Sequence, residues 1–536
     1  MYPDRILLNG NIITLDATRP RVSALALAGE RIVAVGADAE IAALAGPRTA
    51  RNDLGGRTVW PGLTDAHIHW EGVARALQDV DLHDVPSKAE AVRRVAERAH
   101  RTPPGEWIVG RGWAQDLWDE RAFPTAADLD AVTPQHPVYL SARSGHAAWV
   151  NSRALALAHI TASTPDPVGG QIVRDAHGRP TGILLEDAAM LMVWQHVPAP
   201  TPERLADWMR EAQEHAWRAG LTGLHDFDDP SCLVALQILR EQGKLGLRVV
   251  KQINAPWAEH AHALGLRFGF GDAWLRLGAV KLFADGALGP RTAAMIAPYA
   301  GEPHNYGIVV TDKEEMYAII SRASAQGLPA SVHAIGDRAV HDVLDVYEAV
   351  RREEAARGVP RAARRHRIEH VQLLHPDDVG RLAALDVIAS MQPIHATADW
   401  EMAERYWGER SRWAYNWRAQ LEAGAVLAFG SDAPVEPFAP LLGLYAAVTR
   451  QRGDGSPRGG WRTEACVSLD EALRAYTQGA AYAAGLEREL GTLAAGKLAD
   501  LIVLDRDLHN APPAALLEAR VLGTMVGGVW RWRAFE

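Results

Sequence analysis

The densest chemical signal in the chain is Asp65-Ala66-His67-Ile68-His69. On a strand, residues i and i+2 point to the same face, so His67 and His69 present two imidazoles toward one point. Convergent neutral imidazoles chelate divalent metals. An isolated His-x-His is more often a pair of ordinary hydrogen-bonding histidines; its place at the end of an apolar strand candidate weakens that reading. His333, His370 and Asp432 close strand-like runs in the same way. Lys281, in Val280-Lys281-Leu282-Phe283-Ala284-Asp285-Gly286, is the odd member. A protonated lysine has no lone pair for a metal. Three readings stand level: a salt bridge to a carboxylate such as Asp285, a Schiff-base amine, or a carbamate formed with CO₂, whose carboxylate could bridge two ions.

These residues need a scaffold that aligns strand ends. Eight short apolar runs qualify as strands: 62–69, 220–227, 246–253, 275–283, 327–334, 367–372, 386–393 and 425–432. Helical stretches such as DKEEMYAIISRASAQG lie between most of them. Strand–helix alternation repeated eight times predicts an α/β fold of the parallel (β/α)8 TIM-barrel type, with chemistry at the C-terminal ends of the strands. A doubly wound sheet is the alternative, but the chain has no G-x-G-x-x-G or Walker-type loop. The stretch between His69 and Gly220 far exceeds the usual connection of about 2–6 residues. Residues 71–200 are therefore expected to be an insertion within a barrel spanning 61–484. Because it leaves the C-terminal end of the first strand, it should cover the site. Residues 1–60 and 485–536 read as strands and turns and predict one β-sandwich domain built from both termini.

Composition excludes several classes of function. The net charge of −10, without a long basic run, argues against a nucleic-acid partner. Two cysteines allow no disulfide framework and no thiolate zinc finger. No apolar run is long enough for a membrane span. The start, MYPDRILLNGNIITLD, lacks a signal-peptide pattern, so the cytoplasm is the expected compartment. The 18 tryptophans against 8 phenylalanines fit either core filling or an aromatic-lined pocket built from residues such as Trp400, Trp407, Trp413 and Trp417.

Taken together, PGLTDAHIH (61–69), VKLFADGALG (280–289), SVHAIGDRA (331–339), RIEH (367–370), MQP (391–393), GSDAP (430–434) and GTLAAGKLADLIVLD (491–505) resemble the amidohydrolase superfamily. The likeness is to its amidohydrolase-3 branch, which holds N-substituted formamide deformylases and YtcJ-like metal-dependent hydrolases. It covers nearly the whole chain. It implies a distorted barrel with a terminal β-sandwich, and one or two divalent ions, zinc foremost. By the same resemblance His67 and His69 would hold one ion and His333 and His370 a second. Lys281, N6-carboxylated, would bridge them, and Asp432 would be both ligand and proton shuttle.

The implied activity is hydrolysis of a non-peptide C–N bond in a small-molecule amide, N-substituted formamide or cyclic amide. Metal binding lowers the pKa of water from ~15.7 to about 7, giving a hydroxide nucleophile without a Ser or Cys, and the chain has no G-x-S-x-G elbow. The alternatives are a deaminase or other hydrolase on the same scaffold, and a non-catalytic metal-dependent binding protein. Trp70, Arg143, His146, Asp285, Arg291 and His395 are second-tier candidates for touching substrate, with loop hydrogen bonding, surface ion pairing or core packing as the alternative for each. Homodimers are common in the superfamily, which suggests one here by analogy.

Overall fold

Eight strands form one parallel sheet whose spatial order follows the sequence: Leu63–Ile68, Leu221–Asp226, Arg248–Asn254, Leu275–Phe283, Ala330–Ala334, Arg367–His370, Ile388–Met391 and Leu427–Phe429. The computed structural model describes residues 2–535. A sheet covered on both faces buries every position rather than alternate ones, and Leu221–Asp226 and Arg367–His370 are buried throughout. Helices alternate with the strands. Lys313–Ala325 starts where the Asp312 carboxylate accepts the Glu315 N–H, an N-cap that satisfies an otherwise orphaned donor.

The sheet closes at one end through its loops. Asp432 N–H donates to His67 O at 2.7 Å, and His69 N–H donates to Ala433 O at 2.8 Å. Asp65 fastens the same seam: its carboxylate accepts Ser431 N–H at 3.0 Å and Ser431 O–H at 2.5 Å. Gly430 allows this approach, because a Cβ there would lie 2.4 Å from His67 N. Closure thus brings the His67–His69 strand end against Asp432. Asp432 (φ 61°) and His370 (φ 77°) adopt left-handed backbone, a conformation that non-glycine residues hold only where their surroundings over-determine it.

The chain divides into two units, Met1–Val73 with Met209–Glu536, and Ala74–Trp208. Besides the barrel, the first holds two further sheets. Arg31–Gly36, Ala24–Ala28, Arg5–Leu8 and Ala50–Asp53 make one; Val529–Arg533, Val521–Val526, Leu501–Leu504, Thr58–Pro61, Asn11–Ile13 and Arg21–Val22 make the other. Leu7, Leu25, Val59, Leu501, Val503 and Met525 share one core, so both termini build this layer. A buried ion pair, Arg248 to Asp500 at 2.6 Å, links it to the third barrel strand.

The second unit is a six-stranded mixed sheet, Gln171–Arg174, Pro180–Leu185, Ala147–Val150, Val138–Ala142, Ile108–Trp113 and Val80–Asp81. Trp113, Trp118 and Trp149 pack in its core, with Trp113 edge-on to Trp149 at 6.3 Å. Much of the tryptophan excess is core: Trp60, Trp70, Trp113, Trp149, Trp407 and Trp417 are fully buried. Among the described residues no helix is long and apolar enough to cross a membrane.

Candidate metal centre

The strand ends bring together the six residues that the sequence singles out. His67 Nε2 and His69 Nε2 each lie 3.4 Å from Asp432 Oδ1. Ligand atoms of His67, His370 and Asp432 lie within 4.8 Å of one another. The His333 ring is 4.5 Å from that of His370. Lys281 is buried, and its Nζ makes no hydrogen bond or ion pair among the described residues. It faces the rings of Phe227 and Phe283 at 4.9 and 4.6 Å. Phe227 in turn stacks on His67 at 3.9 Å.

The donor set suits divalent metal. A carboxylate oxygen can only accept, so His67 Nδ1–H donates to Glu369 at 2.6 Å and His69 Nδ1–H to Asp228 at 2.9 Å. His67 Nε2 is left with its lone pair facing Asp432, and His69 Nε2 faces the same oxygen. His370 Nδ1–H donates to Gln392 Oε1 at 2.8 Å, freeing its Nε2. His333 Nε2–H donates to Gly286 O at 2.9 Å, freeing its Nδ1. Metal ligation needs neutral imidazole. Burial pushes His67 down to about 4 and His333 down to about 3, and holds His370 well below its ordinary value. Against the burial that would lower it, the Asp228 and Asp432 carboxylates push His69 up to about 10. As a metal ligand His69 would give up its Nε2 proton, a bound cation taking that proton's place beside Asp432. Burial pushes the Lys281 amine down to about 8, so a neutral, nucleophilic amine is accessible near neutral pH, as carbamate formation requires. The salt bridge from Lys281 to Asp285 does not form. Asp285 accepts the backbone N–H groups of Ala294, Ile335 and Gly336 at 2.8–3.0 Å.

Beneath the ligands lies a buried polar layer. Arg367 donates to Glu369, to Ala66 O at 2.6 Å and to Ser390 Oγ at 2.5 Å, and meets His225 Nδ1 at 3.0 Å. Ser331 O–H donates to Glu369 at 2.5 Å. Although burial opposes it, the Arg367 guanidinium, helped by His67, holds Glu369 well below the usual carboxylate range. Glu369→Gln leaves the Arg367 charge buried without its counter-ion, and breaking such a pair costs about 3–5 kcal/mol. The variant is expected to show a clearly lower midpoint in thermal or urea unfolding; an unchanged midpoint would show that Arg367 is neutralised by other means.

The second-tier candidates fall into several settings. His395 Nε2 is 3.1 Å from Asp432 Oδ2, so the two Asp432 oxygens face different partners. Asp285 organises the loop after the Lys281 strand, and Arg291 pairs with Glu302 at 2.5 Å. Trp70 is buried, and its backbone N–H donates to Asp226 at 2.8 Å. Arg143 and His146, in the second unit, are exposed and pair with Asp84 and Glu186 at 2.8 and 2.9 Å. Sequence reasoning did not single out Glu369, Asp228, Gln392 or Phe227. Glu369 had a readable signal, since Arg367 and Glu369 alternate on one face of the strand that ends in His370.

Comparison with known proteins finds relatives along nearly the whole chain. Residues 52–530 match the model of the amidohydrolase family. The chain is 34% identical to Protein LONG AFTER FAR-RED 3 of Arabidopsis thaliana, covering 98% of this chain and 91% of that protein. It is 32% identical to the N-substituted formamide deformylase of Arthrobacter pascens, covering 99% and 98%. Among solved structures it resembles an uncharacterized metal-dependent hydrolase from Pyrococcus furiosus, with a TM-score of 0.76 and 31% identity over 95% of this chain and 99% of that one.

Proposed function

The chain belongs to the amidohydrolase family, and from that premise we propose that it hydrolyses the C–N bond of a small amide, N-substituted formamide or cyclic amide at the His67–His69–Lys281–His333–His370–Asp432 centre. That it is a metal-dependent hydrolase of carbon–nitrogen bonds follows from the family and from the deformylase and hydrolase relatives. One observation carries the assignment to these residues: the approach of His67 Nε2 and His69 Nε2 to the same Asp432 oxygen at 3.4 Å, with both Nδ1 atoms committed to carboxylates.

His67, His69 and Asp432 would hold one ion, His333 and His370 the other, and carboxylated Lys281 would join them. When bound, zinc or a similar ion supplies a Lewis acid for the scissile carbonyl and acidifies water. Asp432 does the proton work. Although burial opposes it, hydrogen bonds from His395 and His69 hold its carboxyl well below the usual range, so it is ionised and ready to accept the proton of the attacking water. It then returns that proton to the leaving nitrogen. His395 holds Asp432 Oδ2 in place, and the left-handed backbone at Asp432 aims the carboxylate across the strand ends. The compartment in this reading is the cytoplasm, in keeping with two free cysteines.

Product analysis tests the reaction class. Zinc-loaded protein is expected to release an amine together with an acid from members of an amide and formamide panel, with loss of activity on chelation and recovery on adding zinc back. Ammonia as the nitrogen product, from amidine-type heterocycles and not from amides, would favour a deaminase instead.

A further inference from the structure

The two halves of the centre are backed by different chemistry. His67 and His69 each donate Nδ1–H to a carboxylate, Glu369 and Asp228. His333 donates to the Gly286 carbonyl and His370 to the Gln392 amide oxygen, both neutral. Asp228 is the member that no motif announces. Its Oδ1 accepts the hydrogen bond of His69 Nδ1–H, and its Oδ2 accepts the N–H of Glu71 at 2.5 Å and of Gly72 at 3.2 Å. One carboxylate therefore fixes both the imidazole and the first turn of the helix Trp70–Ala76, which starts directly after His69.

Behind it stands a brace. Asp226 accepts Trp70 N–H at 2.8 Å and Asp228 N–H at 3.2 Å, and pairs with Lys251 Nζ at 2.9 Å. Lys251 also donates to the Asp228 carbonyl. Asp226, Asp228 and Cys232 cluster closely enough to suggest a metal group of their own, but the Lys251 ammonium already supplies the cation there, so the cluster serves as support.

We propose that Asp228, braced by Asp226 and Lys251, is a positioning residue that makes the His67–His69–Asp432 site the tighter of two unequal metal sites. This rests on the assignment of the centre made above. A carboxylate partner fixes the tautomer and raises imidazole basicity more than a neutral carbonyl does. A ligand already locked in place also loses less freedom on binding. The first ion is therefore held through two carboxylate-backed imidazoles, and the second through two neutrally backed ones.

Competition for zinc between metal-free protein and a chromophoric chelator reads this directly. Wild-type protein is expected to show two binding classes, the weaker stripped at chelator concentrations that leave the tighter filled. Asp228→Asn is expected to lower the tighter affinity by about 10–100-fold while leaving the weaker class in place, with circular dichroism confirming the fold. Gln392→Glu puts a carboxylate behind His370 and carries the test should Asp228→Asn fail to fold; it is expected to tighten the weaker class and narrow the gap. Equal classes in the wild type, a folded Asp228→Asn protein with an unchanged tighter class, or a Gln392→Glu protein with an unchanged weaker class would overturn the inference and leave the hydrolase reading intact. A wild-type chain that takes up no zinc at all would overturn the centre itself.

Discussion

Asp432→Asn is expected to lose most turnover, by roughly 10²–10⁴-fold, the range for removing a general acid–base group, and to keep much of its metal. The two oxygens of Asp432 explain the split. Oδ1 lies 3.4 Å from both His67 Nε2 and His69 Nε2, while Oδ2 faces His395 Nε2 at 3.1 Å. Asparagine keeps an oxygen toward the imidazoles and has almost the same shape, so ligand geometry survives. It cannot accept the proton of water or return it to the leaving nitrogen. Measuring kcat and metal content on one preparation separates the two roles. A kcat near the wild-type value would remove Asp432 from the proton path; loss of all metal would make it a ligand first.

The second large effect belongs to Lys281. Its side chain is buried and makes no ion pair among the described residues; the faces of Phe227 and Phe283 attract a cation, but the cost of burying an unpaired charge favours the uncharged amine. Burial lowers it to about 8, and only the neutral amine attacks CO₂. At fixed dissolved CO₂, reactivation of metal-free protein by zinc should therefore accelerate as pH rises through about 8 and then level off. Lys281→Ala is expected to hold about one ion instead of two, since the bridge of a two-metal site is gone. Its activity is expected to fall by on the order of 100-fold or more, as when a general acid–base or metal-positioning group is lost. Native mass spectrometry of the wild type should show the added mass of one CO₂, absent in the variant. A wild-type mass without CO₂, with two ions still bound, would leave Lys281 a packing residue.

Much of this centre was legible because the barrel turns local pattern into position. Each candidate ligand lies at or near the end of a short apolar run, and a parallel barrel gathers those ends at one mouth. The eight runs correspond to the eight strands; only their edges differ, as in 425–432, where Leu427–Phe429 is strand and Gly430 to Asp432 turn to meet His67. The partners behind the ligands were harder to read. Asp228 lies in the loop after the second strand and Gln392 just past the seventh, and no spacing rule ties such positions to a histidine on another strand. The sheet of the second unit was hidden for a different reason. Ile108–Trp113 contains Gly110 and Gly112 and a register shift, while Ala147–Val150 has four residues, all buried, so neither shows the alternation of a half-buried strand. Nor does composition separate a core tryptophan from one lining a pocket: Trp407 and Trp417 are core.

The most direct test of the centre is elemental mass spectrometry of metal per chain, on protein purified with neither added metal nor chelator. About two divalent ions per chain, zinc foremost, are expected, in keeping with a two-metal hydrolytic site. Protein with none, and with no activity toward amides or formamides after zinc and bicarbonate are restored, would contradict it.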